Sequence, residues 1–323
     1  MKPLLALLLV AAGSASLARP FSSATSGAAS YATPWADTSK LGIPNGPFDL
    51  PPEDLCSLGY TATTLALVPG KILDDLQRVR DCQGRVFPKL RRAKMKDAAG
   101  YLSVDAARAE IDSWPWPELC GRVKDSTIIA FYVGDDVGKE EWGPAKLPTR
   151  LAQWDSIAGL VQAKCPGAPV TIRARATQLE ARGKWQWLTT AWAQYTGSRT
   201  DLGSPEKYFA AEVASAKRQH LGLVGGVNLI NGGCGPTERG KCLPDVPGTN
   251  LQGTKSDSYQ LSAAEFTYYK TVAMTNPYVC ASVDWVWGPK ANSDFHDRPD
   301  IQSAAKALNV LARTRPSVSC VQR

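Results

Sequence analysis

One repeating pattern runs through most of this 323-residue chain: an apolar or β-branched run, a polar loop, and a stretch with helical spacing. Strands that alternate with helices pair in parallel, because each helix returns the chain to the starting edge of the sheet. The sequence therefore predicts an α/β protein. Seven strands follow the pattern clearly, at residues 60–67, 85–91, 127–133, 169–175, 187–195, 221–229 and 279–286.

The number of units favours one closed barrel. A further, less regular strand is expected near residues 43–48, and the eight together predict a single (β/α)8 barrel of the TIM type. An open doubly wound sheet accounts for fewer of the units. No internal Gly/Ser linker divides the chain, so we expect one barrel domain over residues 41–323.

The start of the chain predicts export. Residues 1–18 contain one lysine, an apolar run and then small residues, which is typical of a secretory signal peptide. The run is too short to span a bilayer. Residues 19–40 are interpreted as a flexible leader, and the mature protein as secreted or periplasmic. A formal charge of +7 without a basic block predicts no nucleic-acid or membrane partner, and we expect a monomer.

The eight cysteines predict disulfides, because an even count in an exported protein is usually paired. None belongs to a C-x-x-C pair, which disfavours zinc and thiol redox chemistry. Six cysteines fall where a barrel has its N-terminal rim, and Cys120 with Cys165 is one pairing expected there. Cys234 and Cys242 lie in one loop on the opposite rim and are close enough in sequence to pair. The six rim cysteines are Cys56, Cys82, Cys120, Cys165, Cys280 and Cys320.

Side chains in a barrel strand alternate between the interior and the helix layer, so polar residues near strand ends are expected to face the C-terminal mouth. The residues selected by this rule are Lys89, Arg91, Tyr132, Asp136, Arg173, Arg175, Trp192, Gln194, Asn228, Ser282 and Asp284.

Two carboxylates at the ends of separate strands are the groups that acid–base or nucleophilic catalysis requires. Asp136 and Asp284 form the predicted pair, with Glu141 as another candidate acid. Asp135 is a further candidate, although its position in the alternation sends it away from the mouth and capping of the loop is an alternative role. For Asp284 the alternative is a buried ion pair with Arg173.

The same opening is expected to bind a ligand. Trp192 and Trp287 are candidate stacking platforms for sugar rings, whereas Trp285 shares the alternation of the helix-facing residues. Basic side chains in the mouth would suit an anionic ligand, or would only balance the aspartates. The predicted binding residues are Lys89, Tyr132, Arg173, Arg175, Trp192, Gln194, Asn228, Asn231, Trp287 and His296.

Several other chemistries lack their residues. There is no G-x-S-x-G serine motif, and His220 and His296, the only two histidines, form no H-x-H or H-E-x-x-H arrangement. The string GPTERGKC at 235–242 ends in cysteine where a P-loop needs Ser or Thr. We therefore expect no metal and no cofactor.

Four segments carry a resemblance to exported glycoside-hydrolase-like TIM barrels over roughly residues 42–315: IIAFYVGDD with EEW after it, TTAWAQY, GGVNLINGG and ASVDWVWGP. The resemblance implies an acid at one strand end and a carboxylate across the mouth, at Asp136 and Asp284. The chain has neither an Asn-Glu pair at a strand end nor a D-x-x-D-x-D-x-E motif, so the family is not identified. The expected function is hydrolysis of a polysaccharide or oligosaccharide. The alternatives are a non-catalytic carbohydrate-binding barrel, or a hydrolase of another anionic polymer or ester.

Overall fold

The computed structural model describes residues 41–197, 199–229, 261–285, 287 and 298–321. The predicted signal peptide and leader, the Cys234–Cys242 clasp and the GPTERGKC string lie outside the described residues.

Eight parallel strands form a nearly closed barrel, as predicted. Neighbouring strands follow the order β1-β8-β7-β6-β5-β4-β3-β2. The remaining seam is bridged where the Thr61 amide donates to the Asn45 carbonyl at 2.9 Å and the Asn45 amide donates to Thr61 Oγ1 at 3.0 Å. The irregular first strand is therefore part of the barrel. The strands are β1 Asn45–Pro47, β2 Ala62–Ala66, β3 Arg85–Lys89, β4 Phe131–Asp135, β5 Val170–Arg173, β6 Thr190–Tyr195, β7 Gly222–Val227 and β8 Val279–Asp284.

Helices surround this sheet, and polar side chains define where two of the longest begin. The Ser204 side chain accepts the Lys207 amide at the start of α7, and Ser262 with Glu265 forms a capping box at the start of α8. No helix in the described part of the chain is long and apolar enough to cross a membrane. The helices are α1 Pro52–Leu58, α2 Ile72–Asp81, α3 Val104–Asp112, α4 Trp116–Lys124, α5 Leu147–Lys164, α6 Ala176–Leu179, α7 Pro205–Arg218, α8 Ala263–Thr275 and α9 Pro299–Thr314.

The apolar side chains pack in two layers. The larger core lies between the strands and the helices. The smaller one fills the barrel interior, so the barrel is a packed core and not a pore. Its largest members are Phe48, Phe87, Tyr132 and Trp192.

Two strands contain a bulge that reverses the alternation of their side chains. In β4 the register against β5 shifts between Tyr132 and Gly134. In β8 the partners of Leu223 and Val224 are Val279 and Ala281, so Cys280 is an extra residue. A one-residue insertion moves every later side chain of the strand to the opposite face. These two strands therefore depart from regular alternation just before their functional ends.

Three disulfides connect element ends at the N-terminal rim, and the Cys120–Cys165 pairing is confirmed. The Cα–Cα distances are 5.1 Å for Cys56–Cys82, 5.6 Å for Cys120–Cys165 and 5.2 Å for Cys280–Cys320. The last bond holds the segment after α9 beneath the barrel, where Thr190 Oγ1 donates to the Cys320 carbonyl at 2.6 Å.

We expect the double variant Cys120→Ser, Cys165→Ser to lose about 2–4 kcal/mol of unfolding free energy, because the unfolded chain gains the freedom that the bond removes. Urea denaturation measures the loss. Ser156→Ala, an exposed change in α5, is the control and is expected to alter stability little. Equal stability of the double variant and the parent would contradict a disulfide at this position.

Candidate functional site

Aromatic rings form the floor of the C-terminal mouth. The Phe48 ring lies 5.6 Å from Tyr132 and 4.8 Å from Trp285, and Tyr132 lies 5.3 Å from Trp192. Trp192 is fully buried within the barrel, so it supports the floor and offers no open stacking surface. Trp285 is only partly buried. It is therefore the more accessible ring of this group.

Arg173, at the end of β5, connects the polar groups above this floor. Its Nε donates to Asp135 Oδ1 at 2.6 Å, and its Nη1 donates to Gln194 Oε1 at 3.0 Å. The guanidinium also lies 4.0 Å from the centroid of a Trp285 ring. One side chain thus joins the ends of β4, β5, β6 and β8, and the cation–π contact orients its plane.

Asp135 is the most buried carboxyl group of the mouth. Its burial raises the pKa of the carboxyl above the ordinary value, and the neighbouring charge of Asp136 acts in the same direction. The Arg173 guanidinium opposes both effects, but the pKa remains raised. A carboxyl group with a raised pKa in a mouth of this kind is suited to holding and donating a proton.

Asp136 lies at the edge of the same group. Lys139 Nζ donates to its Oδ2 at 2.6 Å, and Arg173 Nη2 lies 3.8 Å from that oxygen. Its backbone has a left-handed φ of 48°, which aspartate tolerates better than most residues. The two aspartates therefore share one guanidinium, with Asp135 on the inner side and Asp136 more exposed.

A third carboxylate, Asp49, was not among the predicted residues. Its side chain follows β1, forms an ion pair with Lys89 and accepts the Thr64 hydroxyl at 2.9 Å. The ammonium of Lys89 also lies 4.7 Å from the Phe48 ring centroid. Sequence patterns missed Asp49 because β1 has only three residues, too few to show an alternation. The acidic residue directly after a candidate strand was the available signal.

Three side chains around the floor carry a buried polar atom for which the described residues provide no hydrogen-bond partner. These atoms are the Tyr132 hydroxyl, Trp192 Nε1 and Gln194 Nε2. A buried polar group without a partner is costly, so ordered water is the expected partner of the two nitrogen atoms. Burial also raises the pKa of Tyr132 well above its ordinary value, which keeps its hydroxyl protonated beside the Asp135 carboxylate.

The expected orientation of Asp284 is wrong. Its carboxylate is 2% exposed and lies 2.5 Å from Lys270 Nζ of α8, while its other oxygen accepts the Val227 amide at 2.9 Å. Lys270 also donates to the Ser282 carbonyl at 3.1 Å. The bulge at Cys280 turns Asp284 and Ser282 toward the helix layer. Asp284 is thus in a buried ion pair, with Lys270 in place of the Arg173 considered above.

The same bulges reverse the assignments of the β4 aspartates and of Trp285. In β4, Val133 and Gly134 both face the helices, so Asp135 rather than Asp136 turns inward. In β8 the reversal brings Trp285, expected in the helix-facing core, over Arg173. Trp287 was expected at the mouth, but it is buried in the helix-side core, 6.5 Å from Tyr60.

The remaining predicted residues divide between the mouth and its surroundings. Lys89, Arg173 and Gln194 belong to the mouth, and Asn228 bridges to Trp285 at the end of β7. Glu141 pairs with Arg92, and Arg91 donates to Glu110 of α3 at 2.6 Å. Arg175 precedes α6 and its charge acts on Glu212 and Tyr208 of α7, apart from Arg173. Asn231 and His296 lie outside the described residues.

No group of histidine, cysteine and carboxylate side chains able to hold a metal ion is found within the described ranges.

Comparison with known proteins identifies the fold. No family model matches the sequence, and no curated protein matches it. A glucosidase from Croceicoccus marinus is similar in structure, with a TM-score of 0.52 and 11% identity, covering 86% of this chain and 69% of that one. A GH2 beta-galacturonidase from Eisenbergiella tayi bound to galacturonate has a TM-score of 0.54 and 9% identity. That match covers 84% of this chain and 51% of the other, so this chain spans about half its length. The chain thus has a TIM-barrel fold like that of glycoside hydrolases.

We expect Lys270→Ala to destabilise the protein by about 3–5 kcal/mol, because it leaves the Asp284 charge buried without its partner. Thermal and urea unfolding measure the loss. The matched control is Lys270→Met combined with Asp284→Leu, which removes both charges and is expected to recover most of the stability. A fully stable Lys270→Ala protein would show that the pair does not form.

Proposed function

We propose that the protein is a glycoside hydrolase acting on a polysaccharide or oligosaccharide, with Asp135 as the proton donor. The observation that carries this proposal is the position of Asp135: a buried carboxyl with a raised pKa, at the mouth of a barrel, beside a second carboxylate. Hydrolysis of a glycosidic bond needs an acid for the leaving oxygen and a second carboxylate that remains ionised. Asp136, more exposed and bonded to Lys139, is assigned the second role.

The contact that both aspartates make with Arg173 bears on the stereochemical outcome. Retaining enzymes hold their two carboxyl groups about 5–5.5 Å apart, and inverting enzymes about 6.5–9.5 Å apart. Asp135 Oδ1 lies 2.5 Å and Asp136 Oδ2 lies 3.8 Å from the same Nη2 atom. These contacts bring the two oxygens within 6.3 Å of each other, which is below the inverting range, so we expect retention.

The surrounding groups support a sugar as the ligand. Trp285 is partly exposed at the aromatic floor, and the charged side chains of Asp49, Lys89 and Asp136 around the same floor can hydrogen-bond to hydroxyl groups. The three disulfides support an extracellular or periplasmic location, because such bonds persist in oxidising compartments.

A non-catalytic carbohydrate-binding barrel is the second candidate, favoured by the ion pair that Asp135 already makes with Arg173. In a binder this pair would serve only to hold the floor rigid.

The cations Lys89 and Arg173 favour a third candidate, hydrolysis of an anionic polymer. Reducing-end release is compared between neutral and acidic polysaccharides, and release from acidic ones alone would favour this candidate.

We expect Asp135→Asn to lower the turnover of a polysaccharide about 10²–10⁴-fold with binding retained, because a side-chain amide is not acidic enough to protonate the leaving oxygen. Reducing-end release and affinity electrophoresis measure the two quantities. Asp112→Asn, an exposed change in α3, is the control and is expected to leave both unchanged. Parent activity in Asp135→Asn would exclude Asp135 as the acid, and absence of activity in the parent with binding intact would favour the binder.

The pKa of Asp135 is expected to fall in Asp136→Asn. Removal of the neighbouring negative charge eases ionisation of Asp135, so its titration moves to lower pH. The ¹³C NMR titration of the carboxyl carbon measures this shift without requiring activity. A rise in the Asp135 pKa, or no change, would show that the two aspartates do not interact.

A further inference from the structure

A cavity of about 580 Å³ lies at the opposite end of the barrel from the mouth. Its walls include the loop that leads into β6, at residues 183–189, and the end of α7 with the two residues after it, at 218–220. Both segments precede a strand, so they lie at the N-terminal rim. The volume falls within the usual range of ligand pockets.

Trp187 lies at this cavity and is 41% exposed. The pyrrole part of its indole lies against Gly159 of α5, where an added Cβ would come within 2.9 Å of Trp187 Cδ1. Only glycine lets the ring approach the helix this closely. The contact leaves a large part of the indole open to solvent.

The backbone that carries Trp187 is held rigidly. The buried Asp155 carboxylate of α5 accepts three successive amides, those of Gln186 at 3.1 Å, Trp187 at 2.9 Å and Leu188 at 3.0 Å. Arg182 lies 3.5 Å from the same carboxylate. The loop therefore presents an exposed indole from a fixed backbone, and an aromatic held in place binds a ring with little loss of conformational entropy.

Hydrogen-bonding groups surround the indole. Trp185, two residues earlier, is buried and donates its Nε1 to Gln219 Oε1 at 3.0 Å, and both residues line the cavity. Exposed polar side chains of Lys184, Gln186 and His220 line its edge. A flat apolar face bordered by donors matches a pyranose ring, whose carbon-bound hydrogens lie on one face and whose hydroxyls lie at the rim.

We propose that this cavity is a second carbohydrate-binding site, in which a pyranose unit of a polysaccharide stacks on Trp187. The site lies away from Asp135 and takes no part in bond cleavage, so it would hold the protein on an extended chain. It does not require the mouth to be catalytic. Failure of the proposed hydrolysis would therefore leave this site untouched.

The test is affinity electrophoresis in gels containing mixed-linkage β-glucan, glucomannan, xylan or polygalacturonate, at low and at high salt. The protein carries Asp135→Asn throughout, so that the gel polysaccharide is not degraded during the run. We expect retardation by at least one neutral polysaccharide, a loss of affinity of about tenfold or more in Trp187→Ala, and near-parent affinity in Trp187→Phe. Tyr268→Ala, another exposed aromatic change, is the matched control and is expected to bind as the parent does.

Three results would contradict the proposed binding site. In the first, no polysaccharide retards the protein. In the second, Trp187→Ala binds as tightly as its parent, and in the third, Trp285→Ala abolishes binding but Trp187→Ala does not. Binding confined to polygalacturonate and removed by high salt would reflect charge and not stacking. Sedimentation analysis tests a different role for Trp187. If the parent is a dimer and Trp187→Ala is a monomer, the indole belongs to a contact between two copies and the proposal is wrong. If Trp187→Ala unfolds, the comparison of Trp187→Phe with Trp187→Leu carries the test.

Discussion

Closure of the parallel sheet places the strand ends, and with them every side chain of the mouth. Each strand finds a hydrogen-bonding neighbour on both sides only if β1 joins both β8 and β2, and the Thr61–Asn45 bonds complete that circuit. Closure brings the C-terminal strand ends to one opening. Residues as distant in sequence as Asp49, Asp135 and Trp285 thereby border a single mouth.

Within that opening, Arg173 sets the arrangement of the other groups. Its single guanidinium contacts a carboxylate from β4, an amide from β6 and an indole from β8. Its burial is tolerated because Asp135 and Gln194 satisfy its donors. The charge that stabilises this cluster also limits how far burial raises the pKa of Asp135. Structure and chemistry of the mouth are thus coupled through one side chain.

Between β8 and α8, the Lys270–Asp284 pair shows how a carboxylate at a strand end can face the helix layer and take part in packing. Burial disfavours the charged form of both partners, raising the pKa of Asp284 and lowering that of Lys270, and their mutual attraction opposes both shifts. An aspartate at the end of a barrel strand is therefore not by itself a sign of catalysis. Its side of the sheet decides its role.

Hydrophobic periodicity and chain order are local properties, so they predict the eight strands, the barrel, and the N-terminal location of the six described cysteines. The set of side chains that face the mouth depends instead on how neighbouring strands pair. The bulges at Val133–Gly134 and Cys280 arise from pairing with neighbouring strands, which no single strand's pattern records. Each inserted residue exchanges the two faces of the strand that follows it. Asp135 and Trp285 therefore face the mouth and Asp284 faces the helices, opposite to what regular alternation predicts.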